Sequence, residues 1–166
     1  MSSPQLSKHL FSTPKRDPVL FAGIAATLIL ASAFGFQLAG YHPCEMCWWQ
    51  RYPYMAIMAV ALVATAMPSI PRKPTLLVLA LLFAIDAGLA GFHAGVEQRW
   101  WEGITTCSSF VDVTDNVNAA LEAIMDAPLI RCDEIAWSLF GISMAGYNFI
   151  VAAAMTLFCL RSFKNS

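Results

Sequence analysis

Four apolar stretches dominate this sequence, and each approaches the roughly 20 residues that an α-helix needs to cross a membrane. They cover residues 19–39, 47–67, 75–96 and 141–160. Because 58% of the 166 residues are hydrophobic and only 13% are charged, the chain is too apolar for an ordinary soluble domain and too short for several domains. We therefore predict one all-α domain over residues 1–166, an integral membrane protein built as an antiparallel four-helix bundle.

The basic residues are concentrated on one side of this predicted bundle. Lysine and arginine favour cytoplasmic loops, so their distribution predicts the orientation in the membrane. On the other side the only basic residues are Arg51, close to the first loop at about residues 40–46, and Arg99 and Arg131 in the third loop at about residues 97–140. We therefore expect both termini to be cytoplasmic and these two loops to lie on the opposite side. The remaining basic residues are Lys8, Lys15, Arg16, Arg72, Lys73, Arg161 and Lys164.

Two simpler interpretations of the chain are excluded by its pattern. The first apolar stretch is longer than the hydrophobic region of a typical signal peptide and three further spans follow it, so we interpret it as a retained helix. The net charge is −1, and the sequence has no basic stripe that would neutralise a phosphate backbone. We therefore expect no nucleic acid among its partners.

The third loop is the longest hydrophilic segment of the chain. Within it, Val113, Val117, Leu121 and Ile124 recur at helical spacing, with Thr114 as a candidate N-cap. This pattern predicts a short amphipathic helix in the loop. Such a helix lies either on the membrane surface or against the other loops of the bundle.

Four of the five cysteines fall on the predicted non-cytoplasmic side. Cys44 and Cys47 form a C-x-x-C just before the second span, and Cys107 and Cys132 lie in the third loop. A C-x-x-C ring is too small to constrain much chain, and its spacing is typical of a redox-active or metal-binding pair. Cys107 and Cys132 are consistent with a stabilising disulfide as well as with a second redox pair. We interpret Cys159, near the end of the fourth span, as a small buried hydrophobe.

The position of the C-x-x-C favours a reactive thiol. If the second helix begins here, its unpaired N–H groups and positive dipole end stabilise a thiolate. Arg51 would lie one turn after Cys47 on the same face and add a positive charge. An arginine at this depth is also explained as an interfacial residue that extends its charge to water. We favour the functional role.

Metal binding is the main alternative chemistry. Cys44, Cys47 and His42 would form a zinc site with one cysteine of the third loop. That arrangement uses only one of the two cysteines of the third loop, and the sequence has no second C-x-x-C to complete the usual pattern of a zinc site. We therefore predict thiol–disulfide exchange and no metal.

Two polar residues lie inside apolar spans. Asp86 falls in the third span, where carboxylates are expensive and tend to be functional, and Asn148 falls in the fourth. We predict an interhelical hydrogen bond for Asn148, and we weigh the same role for Asp86 against a proton route.

These motifs together resemble the disulfide bond formation protein B (DsbB) family, the quinone-dependent thiol oxidases of the bacterial inner membrane. The resemblance covers nearly the whole chain from the first span to the fourth. It rests on Cys44-Glu45-Met46-Cys47 with Trp48-Trp49-Gln50-Arg51-Tyr52-Pro53, on Phe92-His93-Ala94-Gly95-Val96-Glu97-Gln98, and on Cys107 with Arg131-Cys132-Asp133-Glu134 and Trp137-Ser138-Leu139-Phe140-Gly141-Ile142-Ser143.

The resemblance implies a path for electrons from a reduced thioredoxin-fold (DsbA-like) oxidase in the periplasm to membrane quinone, either ubiquinone or menaquinone. In that scheme Cys107 forms the mixed disulfide with the partner, Cys132 links transiently to Cys44, and Cys47 donates to the quinone. Arg51 and His93 resemble the arginine and histidine that lie beside the quinone ring. The competing expectation is a membrane metal-binding protein with a structural disulfide in its third loop.

Overall fold

The computed structural model describes residues 17–67, 69–104 and 131–166. This part of the chain is mostly helical and contains four helices, α1 (Pro18–Leu38), α2 (Glu45–Ala66), α3 (Arg72–Glu97) and α4 (Met144–Asn165). Each helix overlaps one of the apolar stretches. Cys107 and the amphipathic helix expected near residues 113–124 lie outside the described residues.

Three of these helices, α1, α3 and α4, are long and apolar enough to cross a membrane. Helix α2 has the length but carries Gln50, Arg51 and Tyr52 in its first half, which lowers its mean hydropathy. Many large apolar side chains on the outside of the helices remain exposed, among them Leu28, at 65%. Exposed apolar surface of this extent is typical of a membrane protein.

The expectation of an all-α chain misses one element. Strands β1 (Ser138–Leu139) and β2 (Ile142–Ser143) pair as a small antiparallel hairpin immediately before α4. Phe140 and Gly141 form its two-residue turn, and both have positive φ angles of 51° and 79°. Such turns suit the twist of paired strands. Helix α4 therefore begins at Met144 rather than at Gly141.

The starts of α1 and α3 lie together at one end of the protein. Oδ1 of Asp17 accepts a 3.0 Å hydrogen bond from the backbone N–H of Val19 and so caps α1. Oδ2 of the same carboxylate lies 2.9 Å from the guanidinium of Arg72, the first residue of α3. One aspartate therefore holds two helix starts side by side.

The opposite end contains the start of α2. There the guanidinium of Arg51 donates a 2.7 Å hydrogen bond to Oε1 of Gln37 near the end of α1. The hydroxyl of Ser143, the N-cap of α4, donates to the carboxylate of Glu97, the last residue of α3. These contacts bring the first cysteine pair, the end of α3 and the start of α4 to one end of the protein.

The hydrophobic core has two parts. The larger cluster joins all four helices and includes Ile57, Leu79 and Phe83. Cys159 is fully buried in this cluster, as its interpretation as a small hydrophobe requires. The smaller cluster lies at the cysteine end and contains Cys44, Met46, Val96 and Cys132.

Candidate functional site

The first cysteine pair lies where the chain turns into α2. Cys44 is the N-cap of this helix, and its sulfur accepts a 3.3 Å hydrogen bond from the backbone N–H of Cys47. The two sulfur atoms are 3.1 Å apart, within reach of a thiol hydrogen bond. That hydrogen bond to Cys47, together with burial, raises the pKa of Cys44 well above the ordinary value for cysteine. The Cys44 thiol therefore remains protonated and donates a hydrogen bond to the sulfur of Cys47, where the helix N-terminus favours negative charge.

His93 lies against this pair from α3. Its Nε2 is 3.6 Å from Sγ of Cys44 and 3.9 Å from a carboxylate oxygen of Glu97. The imidazole also makes a hydrogen bond with the backbone of Cys132. His93 is 2% exposed, so all of these contacts are removed from bulk water.

A chain of buried and partly buried hydrogen bonds leads away from His93. Nε2 of Gln50 lies 2.7 Å from Nδ1 of His93, and Oε1 of Gln50 accepts a 2.8 Å hydrogen bond from Nδ2 of Asn148. The same Asn148 nitrogen donates to Oδ2 of Asp86 at 3.0 Å, and Oδ1 of Asn148 accepts from the hydroxyl of Tyr54 at 2.5 Å. The interhelical hydrogen bonding predicted for Asn148 is present, and its partners are Asp86, Gln50 and Tyr54.

Arg51 lies close to the pair but is held by α1. Besides its bond to Gln37, it donates a 3.3 Å hydrogen bond to the carbonyl oxygen of Ala33. Its guanidinium carbon is 4.6 Å from the ring centroids of both Phe34 and Trp48. With 5% exposure, Arg51 is buried and not an interfacial residue that reaches for water.

Cys132 packs in the same buried cluster as Cys44. The chain that leads into it is fixed by Arg131, which donates 2.9 Å and 2.7 Å hydrogen bonds to the two carboxylate oxygens of Asp133. This pairing holds the pKa of Asp133 below its usual value. The structure thus brings one cysteine of the third loop to the first pair; Cys107 lies outside the described residues.

A cavity of about 380 Å³ opens beside the cysteines. Its walls are mostly apolar, with a few polar groups, which is the usual character of a cofactor site. The chemically active side chains on its wall are Cys44, Cys47, Gln50, Arg51, His93 and Asn148. His42, considered as a zinc ligand, also lines this cavity, but its Nδ1 contacts the carbonyl oxygen of Gly40.

The described residues contain one group of three potential metal ligands. Sγ of Cys44, Sγ of Cys47 and Nε2 of His93 all lie within 4.8 Å of one another. The sequence pattern predicts His42 in this role, whereas the structure brings His93 to the pair. Glu97, four residues after His93 on α3, has the spacing of a helical contact and is near it as expected. The contact of His93 with Gln50 was not predicted; the polar character of Gln50 in an apolar helix was its signal.

The fold and this site define a helical membrane protein with a buried dithiol beside a cavity. The family model for disulfide bond formation protein DsbB matches residues 15–161, and the chain belongs to this family. Membership implies a role in disulfide bond formation.

Several curated relatives carry the same family name. The chain is 31% identical over 147 residues to disulfide bond formation protein B 2 of Pseudomonas syringae pv. syringae (strain B728a), covering 82% of this chain and 81% of that protein. It is 28% identical over 166 residues to disulfide bond formation protein B of Azoarcus sp. (strain BH72), covering 91% and 96%. The protein of that name from Aromatoleum aromaticum (strain DSM 19018 / LMG 30748 / EbN1) is 27% identical over 152 residues, covering 85% and 89%. No solved structure matches the chain significantly.

Proposed function

We propose that this protein is a thiol:quinone oxidoreductase that reoxidises a periplasmic thioredoxin-fold disulfide oxidase and passes the electrons to membrane quinone. The observation that carries the proposal is the single cavity wall shared by Cys44, Cys47, Arg51 and His93. A dithiol, a buried cation and an imidazole beside one apolar cavity are the groups that a two-electron exchange with a ring carbonyl compound requires.

The proposed setting is the bacterial inner membrane. All four helices span it as a bundle, both termini are cytoplasmic, and the loops at about residues 40–46 and 97–140 face the periplasm. The distribution of basic residues supports this orientation. The ion pair of Asp17 with Arg72 and the cysteine cluster lie at opposite ends of the helices, which agrees with one cytoplasmic and one periplasmic end.

The first half of the reaction is thiol–disulfide exchange. A thiolate of the reduced partner attacks Cys107 of a Cys107–Cys132 disulfide, and the partner's second thiolate then releases Cys107, so that the partner is oxidised and both loop cysteines are reduced. The thiolate of Cys132 next attacks Cys44 of a Cys44–Cys47 disulfide and releases the thiolate of Cys47. Attack of Cys107 on Cys132 restores the loop disulfide and leaves the first pair reduced. Packing of Cys132 against Cys44 supports this order.

The second half reoxidises Cys44 and Cys47. A sulfur–sulfur bond forms between them, and the pair gives up two electrons and two protons. A bound quinone, ubiquinone or menaquinone, supplies the acceptor for both. The cavity suits such a ring in size and polarity, since its mostly apolar wall carries a few polar groups, among them Arg51 and His93. Arg51 and His93 would hold the ring oxygens, and the sulfur of Cys44 is buried away from water.

Quinone reduction by the purified protein tests this proposal. We expect wild-type protein supplied with a reduced thioredoxin-fold oxidase to turn over, and Cys47→Ser and Cys107→Ser to stop. Cys159→Ser serves as the matched control, because this thiol lies in the core away from the cavity, and it should retain turnover. Turnover that survives both of the first two changes would show that the two-pair relay is wrong.

One observation favours a second candidate, a membrane metal-binding protein with a structural loop disulfide. Cys44, Cys47 and His93 form a compact set of soft ligands. Metal analysis of protein purified under reducing conditions separates the candidates, because stoichiometric zinc without quinone reduction would support the metal site alone.

A further inference from the structure

Hydrogen bonds link Asp86 to His93 through Asn148 and Gln50. Nδ2 of Asn148 faces Oδ2 of Asp86 and donates to it, which is the orientation that an ionised carboxylate requires because it can only accept. The oxygen of Asn148 faces the hydroxyl of Tyr54, which donates to it. Ionised Asp86, fully buried between these helices, thereby favours this orientation of the Asn148 amide.

The orientation passes from Asn148 to Gln50. Because Nδ2 of Asn148 donates to Gln50, the atom of Gln50 that receives this hydrogen bond is Oε1. The NH₂ group of Gln50 is left facing the carbonyl oxygen of Met46 and Nδ1 of His93. Turning the Gln50 amide over would place two NH₂ groups against each other at 2.8 Å.

The NH₂ group of Gln50 donates a hydrogen bond to Nδ1 of His93, so Nδ1 is the unprotonated nitrogen that accepts it. A neutral imidazole carries one proton, so the proton is on Nε2. This N–H is the one that lies 3.6 Å from Sγ of Cys44 and close to Glu97. The single N–H of His93 therefore serves both its hydrogen bond with the backbone of Cys132 and its 3.6 Å contact with Sγ of Cys44.

The same orientation opposes metal binding. Tetrahedral zinc with a Zn–S distance of about 2.3 Å and a Zn–N distance of about 2.0 Å requires sulfur and nitrogen to be about 3.5 Å apart. The 3.6 Å between Cys44 and His93 meets that requirement, so the sulfur–nitrogen distance does not prevent coordination. A ligand at Nε2 must instead be unprotonated, with Nδ1–H donating to an acceptor. Gln50 presents a donor to Nδ1 instead of an acceptor, which disfavours the tautomer that zinc requires.

We propose that the hydrogen-bonded chain Asp86–Asn148–Gln50 is a positioning network that fixes the proton of His93 on Nε2, making His93 a hydrogen-bond donor to the redox pair and excluding zinc from Cys44, Cys47 and His93. This goes beyond the proposed function, because it concerns the ligand chemistry of the pair whether or not quinone is reduced.

Nitrogen NMR of the full chain labelled at histidine reads the tautomer directly. We expect His93 of reduced wild-type protein to show an unprotonated Nδ1 and a protonated Nε2, with its signals assigned by their loss in His93→Asn. A protonated Nδ1 beside an unprotonated Nε2 would overturn the proposal.

Gln50→Glu should reverse the tautomer. Its carboxylate still accepts from Asn148 but now also accepts from Nδ1–H, which frees Nε2 as a ligand. We expect the reduced variant to bind zinc about 10- to 100-fold more tightly than reduced wild type. Combining Gln50→Glu with Cys47→Ser should remove the gain in zinc affinity, since the second change removes one of the three ligands.

Gln98→Glu is the matched control. It makes the same chemical change at an exposed residue just beyond α3, at the same end of the protein, and should leave both the tautomer and zinc affinity at wild-type values. Equal zinc affinity of wild type and Gln50→Glu would overturn the proposal, as would an equal gain in Gln98→Glu, which would assign the effect to charge alone.

Discussion

Arg51 donates a 2.7 Å hydrogen bond to Gln37, which joins the first turns of α2 to the last turn of α1. The same guanidinium lies 4.6 Å from the ring centroids of Phe34 and Trp48. Stacking on aromatic rings and forked hydrogen bonding are properties of arginine that lysine lacks. These contacts therefore hold the charge of Arg51 in one direction at the cavity wall.

Arg51→Lys should weaken quinone binding even though it keeps the charge. A misplaced charge that costs about 1.4 kcal/mol of quinone binding corresponds to an increase in KM for a soluble quinone of about tenfold. Steady-state kinetics with quinone as the varied substrate measures it. Arg161→Lys, an exposed position in α4, should leave KM unchanged. An unaltered KM in Arg51→Lys would mean that the guanidinium does not hold the ring.

The raised pKa of Cys44 predicts how alkylation depends on pH. A raised pKa means less thiolate at a given pH, so modification of Cys44 by N-ethylmaleimide in reduced protein should remain slow through pH 8.5, about the ordinary pKa of cysteine. Cys47→Ser removes the sulfur that accepts the Cys44 proton, so the pKa of Cys44 should fall and its modification at pH 8 should accelerate. Mass spectrometry of the Cys44 peptide follows both rates. Half-maximal modification of wild-type Cys44 below pH 8 would contradict the assignment.

Gly95→Ala should destabilise the cysteine end of α3. A Cβ atom at this position would overlap the indole of Trp101, which stacks on Phe92 and donates a 3.0 Å hydrogen bond to its carbonyl oxygen. Displacing this indole should cost about 1–3 kcal/mol in the free energy of unfolding in detergent micelles.

Gly88→Ala provides the comparison within the same helix. No heavy atom among the described residues lies within 4 Å of a Cβ placed there, so the better helix propensity of alanine should stabilise the protein by up to about 1 kcal/mol. Equal effects of the two substitutions would show that Trp101 does not constrain Gly95.

Asp17 supplies a cap and an ion pair, and two substitutions separate them. Asp17→Ala removes both and should lower the free energy of unfolding by about 1 kcal/mol or more. Asp17→Asn retains the acceptor for the N–H of Val19 and loses only the ion pair with Arg72, whose side chain is 64% exposed, so the loss should be below about 0.5 kcal/mol. A larger loss in Asp17→Asn would show that the ion pair, and not the cap, holds α1.

The helices were predictable because each apolar run exceeds the length of a short buried strand and ends at turn residues. The start of α2 at the C-x-x-C was predictable for a related reason, since Cys44 is followed by a continuous helical segment. The hairpin before α4 was not predicted. Its strands are two residues each, too short for any alternation, and Gly141 reads equally well as the start of an apolar helix.

The contacts of His93 with other helices could not be derived from the sequence. Gln50 lies 43 positions from His93, and Asn148 lies 98 positions from Gln50. Such pairs depend on how α2, α3 and α4 rotate about their axes, which polar residues in an apolar run do not specify. Local spacing did suggest a charge beside Cys47, but it did not reveal that α1 and two aromatic rings hold Arg51.

Two sulfurs at the cysteine end, those of Cys44 and Cys132, are shielded by the packed side chains around them. Cys44 is 6% exposed and Cys132 is fully buried. Exchange requires an attacking thiolate to reach the sulfur, so dissolved small thiols such as glutathione meet a steric barrier at these two sulfurs. Cys44 and Cys132 are thereby kinetically insulated from the surrounding redox buffer, and they exchange more readily with thiols that the fold brings to them than with dissolved ones.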